Sequence, residues 1–581
     1  MTHFEIERLP FNKEAVNNWG LIDPRHSNWP VVYVLDEKKR SAKLDDVYVG
    51  ESLNVASRMR QHLDAAEKRH LSTIRVIIDK TFNKSVCLDL ESYLIRMLAG
   101  DGAYRVLNRN DGITESDYFD RDNYRQTFRE VFEELKNEGV FTRTIPEIEN
   151  SDLFKLSPFK ALTPDQGAAV EDILEGLFED LDSGDRSTIV IQGDPGTGKT
   201  VIAIYMLKLL ADIAKTVPAD DFDSDTVFAE FFTSDNRSLL EGAHIGLVVP
   251  QQSLRQSIKK VFGKTPGLTK DMVLTPFEVG ASETEYDLLI VDETHRLNQR
   301  ANQPSGPLNK LFREITVRLF GADDSSKTQL DWIRAKSKHQ VFLVDAAQSV
   351  KPADLPKVTL EKLVSETKAS HRFYPLVSQM RVQAGADYVG YIRTFLGDSA
   401  STAVRQEFDG YDLRLFDSLP AMREEIFRRD AEVGLSRIIA GYAWQWKTKN
   451  DKTAFDIEVD GLQLRWNGTQ TDWIASEGSL HEVGSIHTVQ GYDLNYAGVI
   501  IGPDLRFDEA RGCIYVDRAS YFDKKGMENN RVLGTVYTDE DLLVFIRNIY
   551  AVLLSRGILG TYVYVVDPAL RAHLSKYLPS S

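Results

Sequence analysis

Between the apolar run Ser187–Gln192 and a second apolar stretch opening at Val201 stands Gly193-Asp194-Pro195-Gly196-Thr197-Gly198-Lys199-Thr200. Glycines let a backbone turn its N–H groups inward around a polyphosphate, and a helix start adds its positive dipole end. Lys199 then reaches the β- and γ-phosphates, and the Thr200 hydroxyl offers a hard-oxygen ligand to Mg²⁺. Further along, the apolar Leu288-Leu289-Ile290-Val291 ends in Asp292 and Glu293. The first carboxylate can hold Mg²⁺ through water, and the second can orient and deprotonate an attacking water. The two segments together predict a nucleotide-hydrolysing site that uses ATP and Mg²⁺.

A second set of candidates lies near the start of the chain. Tyr33 sits in the β-type run VVYVL, and Tyr48 precedes Gly50 at the end of another. Arg58 follows, with His62 one helical turn later on the same face. Glu91 lies on a later helical stretch and Asn108 in VLNRN. These residue types suit phosphodiester hydrolysis. Glu91 can anchor one Mg²⁺, with Mn²⁺ as the alternative ion, leaving most of the coordination to water and phosphate. Arg58 can stabilise the charge of a pentavalent transition state. Tyr33, Tyr48 or His62 can position or deprotonate the attacking water, and the choice among them stays open. The order and spacing resemble the GIY-YIG nucleases over residues 31 to 111, with Val31-Val32-Tyr33 where that family has Gly-Ile-Tyr. The resemblance implies catalytic roles for Tyr33, Tyr48, Arg58, His62, Glu91 and Asn108.

These residues need elements to hold them. Short β-type runs at 31–35 and 47–49, a helical pattern over 54–69, a strand near 74–78 and a helix near 88–98 predict a compact mixed α/β domain over residues 1–112. Residues 113–160 read as a polar, helical connector punctuated by Pro146 and Pro158. Beyond it, the apolar strands STIVIQG, IGLVVP, YDLLIVD and HQVFLVD alternate with amphipathic stretches, and GLSRIIAGY, VGSIHTVQ, AGVIIGP and GTYVYVVD repeat the pattern. Short buried runs spaced by helices indicate parallel sheets covered on both faces. The expected fold class is α/β: a small mixed domain, then two tandem parallel-sheet lobes at 161–370 and 371–581, which the motif resemblance given below implies are RecA-like.

Composition narrows the class further. Apolar residues make up 42% and charged residues 27% of the 581, as in ordinary soluble proteins. No apolar run approaches the roughly 18 residues of a membrane span, and the first residues lack a signal-peptide core, so no membrane partner is expected. Cys87 and Cys513 match no metal spacing and predict a reducing, cytoplasmic setting. The net charge of −17 argues against a long non-specific grip on nucleic acid. Residues 31–111 nevertheless balance at +2, so the acid lies elsewhere, some of it at Asp220, Asp221, Asp223 and Asp225. A narrow basic groove remains compatible with that balance. No feature of the sequence specifies an oligomeric state.

The order of motifs from residue 162 to 557 is more specific. LTPDQ (162–166), the glycine-rich loop, VVPQQ (248–252), VDETHRL (291–297), FLVDAAQSV (342–350), LVSQMRV (376–382), IHTVQGYDLNYAGVIIG (486–502) and YAVLLSRG (550–557) resemble successive motifs of superfamily 1 helicases. The VDETHRL and VQGYDLNYAGVIIG wording and the AGYAWQW segment (440–446) resemble the Schlafen-type group. The resemblance implies that Gln166 reads adenine, Gln348 senses the γ-phosphate, and Gly491 joins the nucleotide-binding set. It also implies that Arg381 and Arg556 face the γ-phosphate from the second lobe. Arg255, Lys259, Lys260, His487 and Thr488 are candidate strand contacts, whereas Trp444 and Trp446 read as strand-end core. The whole implies an ATP-driven motor fused to a nuclease, acting on DNA rather than RNA, of the bacterial defence or restriction type. Alternatives are a structure-specific repair nuclease-helicase, or an ATP-switched binding protein with an inactive nuclease domain.

Overall fold

In a computed structural model of the chain, the described residues are 4–37, 44–109, 117–215, 228–300, 303, 305–345, 351–376, 382, 388–397, 404–469, 473–489 and 492–581. The chain divides into two compact units. One holds Met1–Glu171, Ile204–Glu241 and Ser257–Lys270; the other holds Asp172–Ala203, Gly242–Gln256 and Asp271–Ser581.

The first unit is built on a five-stranded sheet ordered Phe4–Pro10, Thr73–Asp79, Val31–Asp36, Asp45–Ser52, Tyr104–Val106. All its pairings are antiparallel except the last, where Asp45–Ser52 runs parallel to Tyr104–Val106. Val31–Asp36 is buried along its whole length, so its side chains alternate between two cores. Val32 and Val34 face one, beneath the helix Lys84–Asp101. Val31, Tyr33 and Leu35 face the other, with residues of the helices Lys13–Trp19 and Val55–Asp64. The side chains of Asn54 and Asn83 accept from Ser57 N and Val86 N and start their helices. The helix expected over 54–69 stops at Asp64.

Two elements differ from expectation. The strand Phe4–Pro10 alternates apolar and charged residues only over Phe4–Glu7 before Arg8 breaks the pattern, yet it pairs along the edge of Thr73–Asp79. Residues 113–160 are not a bare connector: the helix Arg121–Asn137 buries Phe128, Val131, Phe132 and Leu135 in the core that contains Val32 and Val34. That spacing is a narrow apolar stripe on an otherwise charged helix, and the charge masks it in sequence.

Arg75, on the strand Thr73–Asp79, is fully buried between Asp36 Oδ1 at 2.8 Å and Glu138 Oε2 at 2.7 Å. Removing one member of a buried ion pair leaves the others uncompensated in a low-dielectric core. Arg75→Ala is therefore expected to destabilise this unit by about 3–5 kcal/mol, read as a shift in denaturant midpoint. A change within experimental error would show that water reaches the pair.

The second unit contains two all-parallel sheets. The first is ordered Phe373–Leu376, Ser187–Gly193, Ser337–Val344, Tyr286–Val291, Ile245–Val248, Val273–Leu274. Phe373–Leu376 still pairs with Ser187–Gly193, beyond the boundary at 370 expected from sequence. The second is ordered Asp412–Phe416, Gly557–Val565, Leu494–Ile501, Ser436–Ala440, Val483–Ser485. Its central strand Leu494–Ile501 places Leu494, Ala497, Val499 and Ile501 in one core and Tyr496 and Ile500 in another. These are parallel α/β sheets of the kind expected for RecA-like lobes. Among the described residues, no helix is long and apolar enough to cross a membrane.

Candidate functional site

The strand Ser187–Gly193 lies between Phe373–Leu376 and Ser337–Val344, and the chain leaves it at the carboxyl end of the parallel sheet, where open α/β sheets bind ligands. Gly196 (φ 89°) and Gly198 (φ 80°) hold left-handed conformations that side chains disfavour, and the helix Lys199–Ile213 starts directly after. Pro195 and Thr197 are buried within the turn, and Thr197 Oγ1 donates to Asp194 O at 2.9 Å. Lys199 Nζ donates to Gly193 O at 2.7 Å and Asp194 O at 2.9 Å. It also lies 3.6 Å from Asp345 Oδ2, at the end of the neighbouring strand.

Two segments far apart in sequence meet here. Thr200 Oγ1 donates to Asp292 Oδ2 at 2.7 Å, and Glu293 N donates to Asp292 Oδ1 at 2.9 Å. A hydroxyl and a carboxylate side by side form a hard-oxygen donor set that fits Mg²⁺. Burial and the adjacent Glu293 carboxylate push Asp292 above its ordinary value. Burial acts upward on Glu293 too, but His295, Lys199 and Arg296 outweigh it and hold Glu293 ionised. His295 Nε2 lies 3.0 Å from Glu293 Oε2. Glu293 itself sits at φ 49°, ψ 44°, a strained backbone for a non-glycine residue and one found often at functional sites.

Among the described residues, an arginine that no motif marked reaches this loop. Arg393, on the helix Tyr388–Leu396, places Nη1 2.8 Å from Asp194 Oδ1 and Nη2 4.0 Å from Asp345 Oδ1. Its only trace in sequence is a single basic residue in the apolar YVGYIRTFL. Arg556 is buried, donating to Val552 O and Tyr492 O at 3.2 Å each. Gln166, in the first unit, is buried and accepts from Thr163 N at 3.0 Å. Gln348, Arg381, Gly491 and the acidic run from Asp220 to Asp225 lie outside the described residues.

A cleft of about 470 Å³ in the second unit is lined by Gln252, Arg255, Phe277, Arg296, Lys351 and His487, among others. Arg255 Nη1 donates to Val249 O at 2.9 Å. His487 is half-exposed, 3.2 Å from Asp523 Oδ2. Thr488 is buried and bonded to Ser485 and Asn467, so its hydroxyl supports the backbone rather than the cleft. On the helix Gln252–Phe262, Lys260 is exposed and Lys259 half-buried. Trp444 and Trp446 pack against the core of the second sheet.

The N-terminal candidates also gather. Tyr33 Oη lies 2.8 Å from His62 Nε2, and the Tyr48 ring is 5.2 Å from His62 and 6.3 Å from Tyr33. A side chain at Gly50 would put its Cβ 2.3 Å from Tyr33 Oη, so the strand needs glycine there. Burial lifts the Tyr33 hydroxyl well above its ordinary value, with Tyr48 and Glu91 adding and Arg58 opposing. Burial, Lys68 and Arg58 together push His62 far down, so its ring is neutral at pH 7. Lys68 Nζ is 3.1 Å from His62 Nδ1 and 3.4 Å from the Tyr48 ring centre. An ammonium only donates, so Nδ1 accepts and Nε2–H points at Tyr33 Oη. The helix expected over 54–69 would carry Lys68 off the face of His62; because the helix ends at Asp64, the chain turns and brings Lys68 back to it. Burial lifts the Cys87 thiol above its ordinary value, with Glu51, following Gly50, and Glu91 adding to it. Asn108 bridges Val49 N and Val49 O at 3.1 and 2.8 Å, a strand-fixing contact.

The family model described as Schlafen group 3, DNA/RNA helicase domain, matches residues 186–567, a span holding the Lys199 loop, Asp292 and both parallel sheets. The chain belongs to the Schlafen group 3 helicase family. The uncharacterized protein YPL245W of Saccharomyces cerevisiae is similar to this Schlafen-type chain, with 25% identity over 414 residues, 66% of this chain and 83% of the yeast protein. A solved helicase, arterivirus nonstructural protein 10 in complex with DNA, is similar at 12% identity with a TM-score of 0.27. That alignment covers 69% of this chain, which spans 65% of the viral one. The Schlafen family match begins at residue 186 and leaves the Tyr33–His62 cluster outside it.

Proposed function

We propose that this Schlafen-type helicase hydrolyses ATP to act on a nucleic-acid strand, and that its N-terminal domain cuts phosphodiesters in the manner of a GIY-YIG nuclease. The observation that carries the motor reading is the 2.7 Å hydrogen bond from Thr200 to Asp292, which joins the glycine-rich loop to the strand-end acids. Thr200 and Asp292 would hold Mg²⁺, whose charge offsets that on the β- and γ-oxygens. Lys199 binds the same phosphates. Glu293, held ionised by its neighbours, orients the attacking water and takes its proton. Arg255 and His487, lining the cleft, are the proposed contacts to DNA, and Arg556 would reach a phosphate only by leaving its carbonyl partners.

Glu293→Gln keeps the shape and removes the base. It is expected to bind ATP within about tenfold of wild type while turnover drops by roughly 10² or more. Loss of nucleotide binding in that variant would give Glu293 a different role. The motor reading itself is tested by ATP turnover on a panel of single- and double-stranded DNA and RNA; no stimulation by any of them refutes it.

One observation favours a second reading for the N-terminal domain. Tyr33 is pushed up and His62 is engaged through both nitrogens, so neither is a ready base at pH 7. A domain that recognises a nucleic-acid structure without cutting it meets that description. Strand nicking with Mg²⁺ or Mn²⁺ separates the two readings.

A further inference from the structure

We propose that Arg393 is a phosphate contact of the ATP site, a residue by which the second parallel sheet touches the nucleotide. The inference rests on the ATPase reading above and adds to it a residue outside every motif. The resemblance gives this task to Arg381 and Arg556; Arg381 lies outside the described residues, and the Arg556 guanidinium is engaged by the carbonyls of Val552 and Tyr492.

Distances place Arg393 at the phosphate end of the loop. Asp345 is buried, with Oδ2 3.6 Å from Lys199 Nζ and Oδ1 4.0 Å from Arg393 Nη2. One carboxylate thus stands between the ammonium that binds phosphate and the Arg393 guanidinium. The second partner of Arg393 is Asp194, within the loop itself, whose side chain is 57% exposed. An exposed ion pair of this kind is weak and exchanges readily. A bound polyphosphate carries more charge than one carboxylate and presents paired oxygens that fit a guanidinium fork. The phosphates therefore outcompete Asp194 for Arg393.

The root of the side chain belongs elsewhere. Tyr388, Tyr391, Ile392, Phe395 and Leu396 of the same helix are buried in the core of the second sheet. Tyr388 Oη donates to Leu554 O at 3.0 Å and Tyr391 Oη to Tyr577 O at 2.7 Å, fixing the helix to segments of the same core. The tip of Arg393 lies on the first sheet's loop while its base moves with the second. Charge that develops on the transferred phosphoryl group is then felt by both sheets.

The test uses the full chain with Arg393→Ala, Arg393→Lys and Asp194→Asn. Turnover of ATP is measured alongside the affinities for ADP and for ADP with aluminium fluoride, a mimic of the transferring phosphoryl group. Arg393→Ala is expected to lower kcat by about 10²- to 10³-fold and to weaken the aluminium fluoride complex by a comparable factor. ADP affinity is expected to stay within about tenfold. Asp194→Asn breaks the same ion pair but leaves the guanidinium, so its loss in turnover is smaller by about tenfold or more. Equal losses in the two variants reduce Arg393 to a clamp on the loop and overturn the proposal, as does an Arg393→Ala turnover within threefold of wild type. If the alanine variant does not fold, Arg393→Lys, which keeps the aliphatic stem, carries the same comparison. A wild-type protein that neither turns over ATP nor binds the aluminium fluoride complex fails the ATPase reading instead.

Discussion

Lys199→Ala is expected to abolish ATP hydrolysis, with kcat down by on the order of 10³-fold or more. Phosphoryl transfer is catalysed chiefly by positioned charge, and Lys199 is the cation mounted on the loop that wraps the phosphates. Its ammonium is nearly buried, held by Gly193 O, Asp194 O and Asp345. Arg393 lies near the same carboxylate but is rooted in another element, so it cannot take over the position of Lys199. The variant also leaves the buried Asp345 with less compensating charge. A thermal melt must therefore accompany the turnover assay, and Lys199→Met, which fills the stem's volume, guards against collapse of the loop. A folded Lys199→Ala protein with near-normal turnover would falsify the assignment of this loop to ATP. The expected companion result is weakened binding of both ATP and ADP, because Lys199 touches ground-state phosphate as well as the transition state. Arg393→Ala should spare ADP, and the contrast separates the two cations by role.

What could be read from sequence followed how local each device is. The glycine-rich loop is contiguous, so its strand, turn and helix were all legible around Lys199. Asp292 and Glu293 were legible because a buried strand ending in two acids is unusual at that point of an α/β pattern. The bond between Thr200 and Asp292 joins segments distant in the chain, and only the parallel register of neighbouring strands creates it. Arg393 was illegible for the opposite reason: its helix reads as plain core, and its proposed role depends on what lies across from its tip. In the N-terminal domain helical spacing puts Arg58 and His62 on one expected face, whereas Lys68 reaches His62 from beyond the helix end at Asp64. Asn108 was expected as a catalytic residue. Its amide is committed to the Val49 backbone, a role that spacing cannot distinguish from chemistry. Thr488, read as a strand contact, is likewise spent on Ser485 and Asn467.

The second large effect is expected from Glu91→Ala, which should remove strand cleavage by on the order of 10³-fold and leave nucleic-acid-stimulated ATPase within about twofold. Glu91 is a half-buried carboxylate on the helix Lys84–Asp101, close enough to raise the Tyr33 hydroxyl. Arg58 acts on the same hydroxyl in the opposite sense. Carboxylate, arginine and phenol thus converge on one place, and the carboxylate is the proposed protein anchor for Mg²⁺. Glu91→Asp keeps the carboxylate and only shortens its reach by one methylene, so it should recover with raised Mn²⁺ or Mg²⁺. Arg58→Ala should not recover in this way, because it removes transition-state charge and spares the metal. Titrating the isolated variants with Mn²⁺ distinguishes the two: weakened ion binding for Glu91→Ala, near-native binding for Arg58→Ala. ATP turnover is the internal control, since Glu91 and Lys199 belong to different compact units. Parallel loss of both activities in Glu91→Ala would mean that the N-terminal domain governs the motor and does not simply accompany it. Cleavage by Glu91→Ala at the wild-type rate would move the metal anchor elsewhere, with Glu51 the next residue to change.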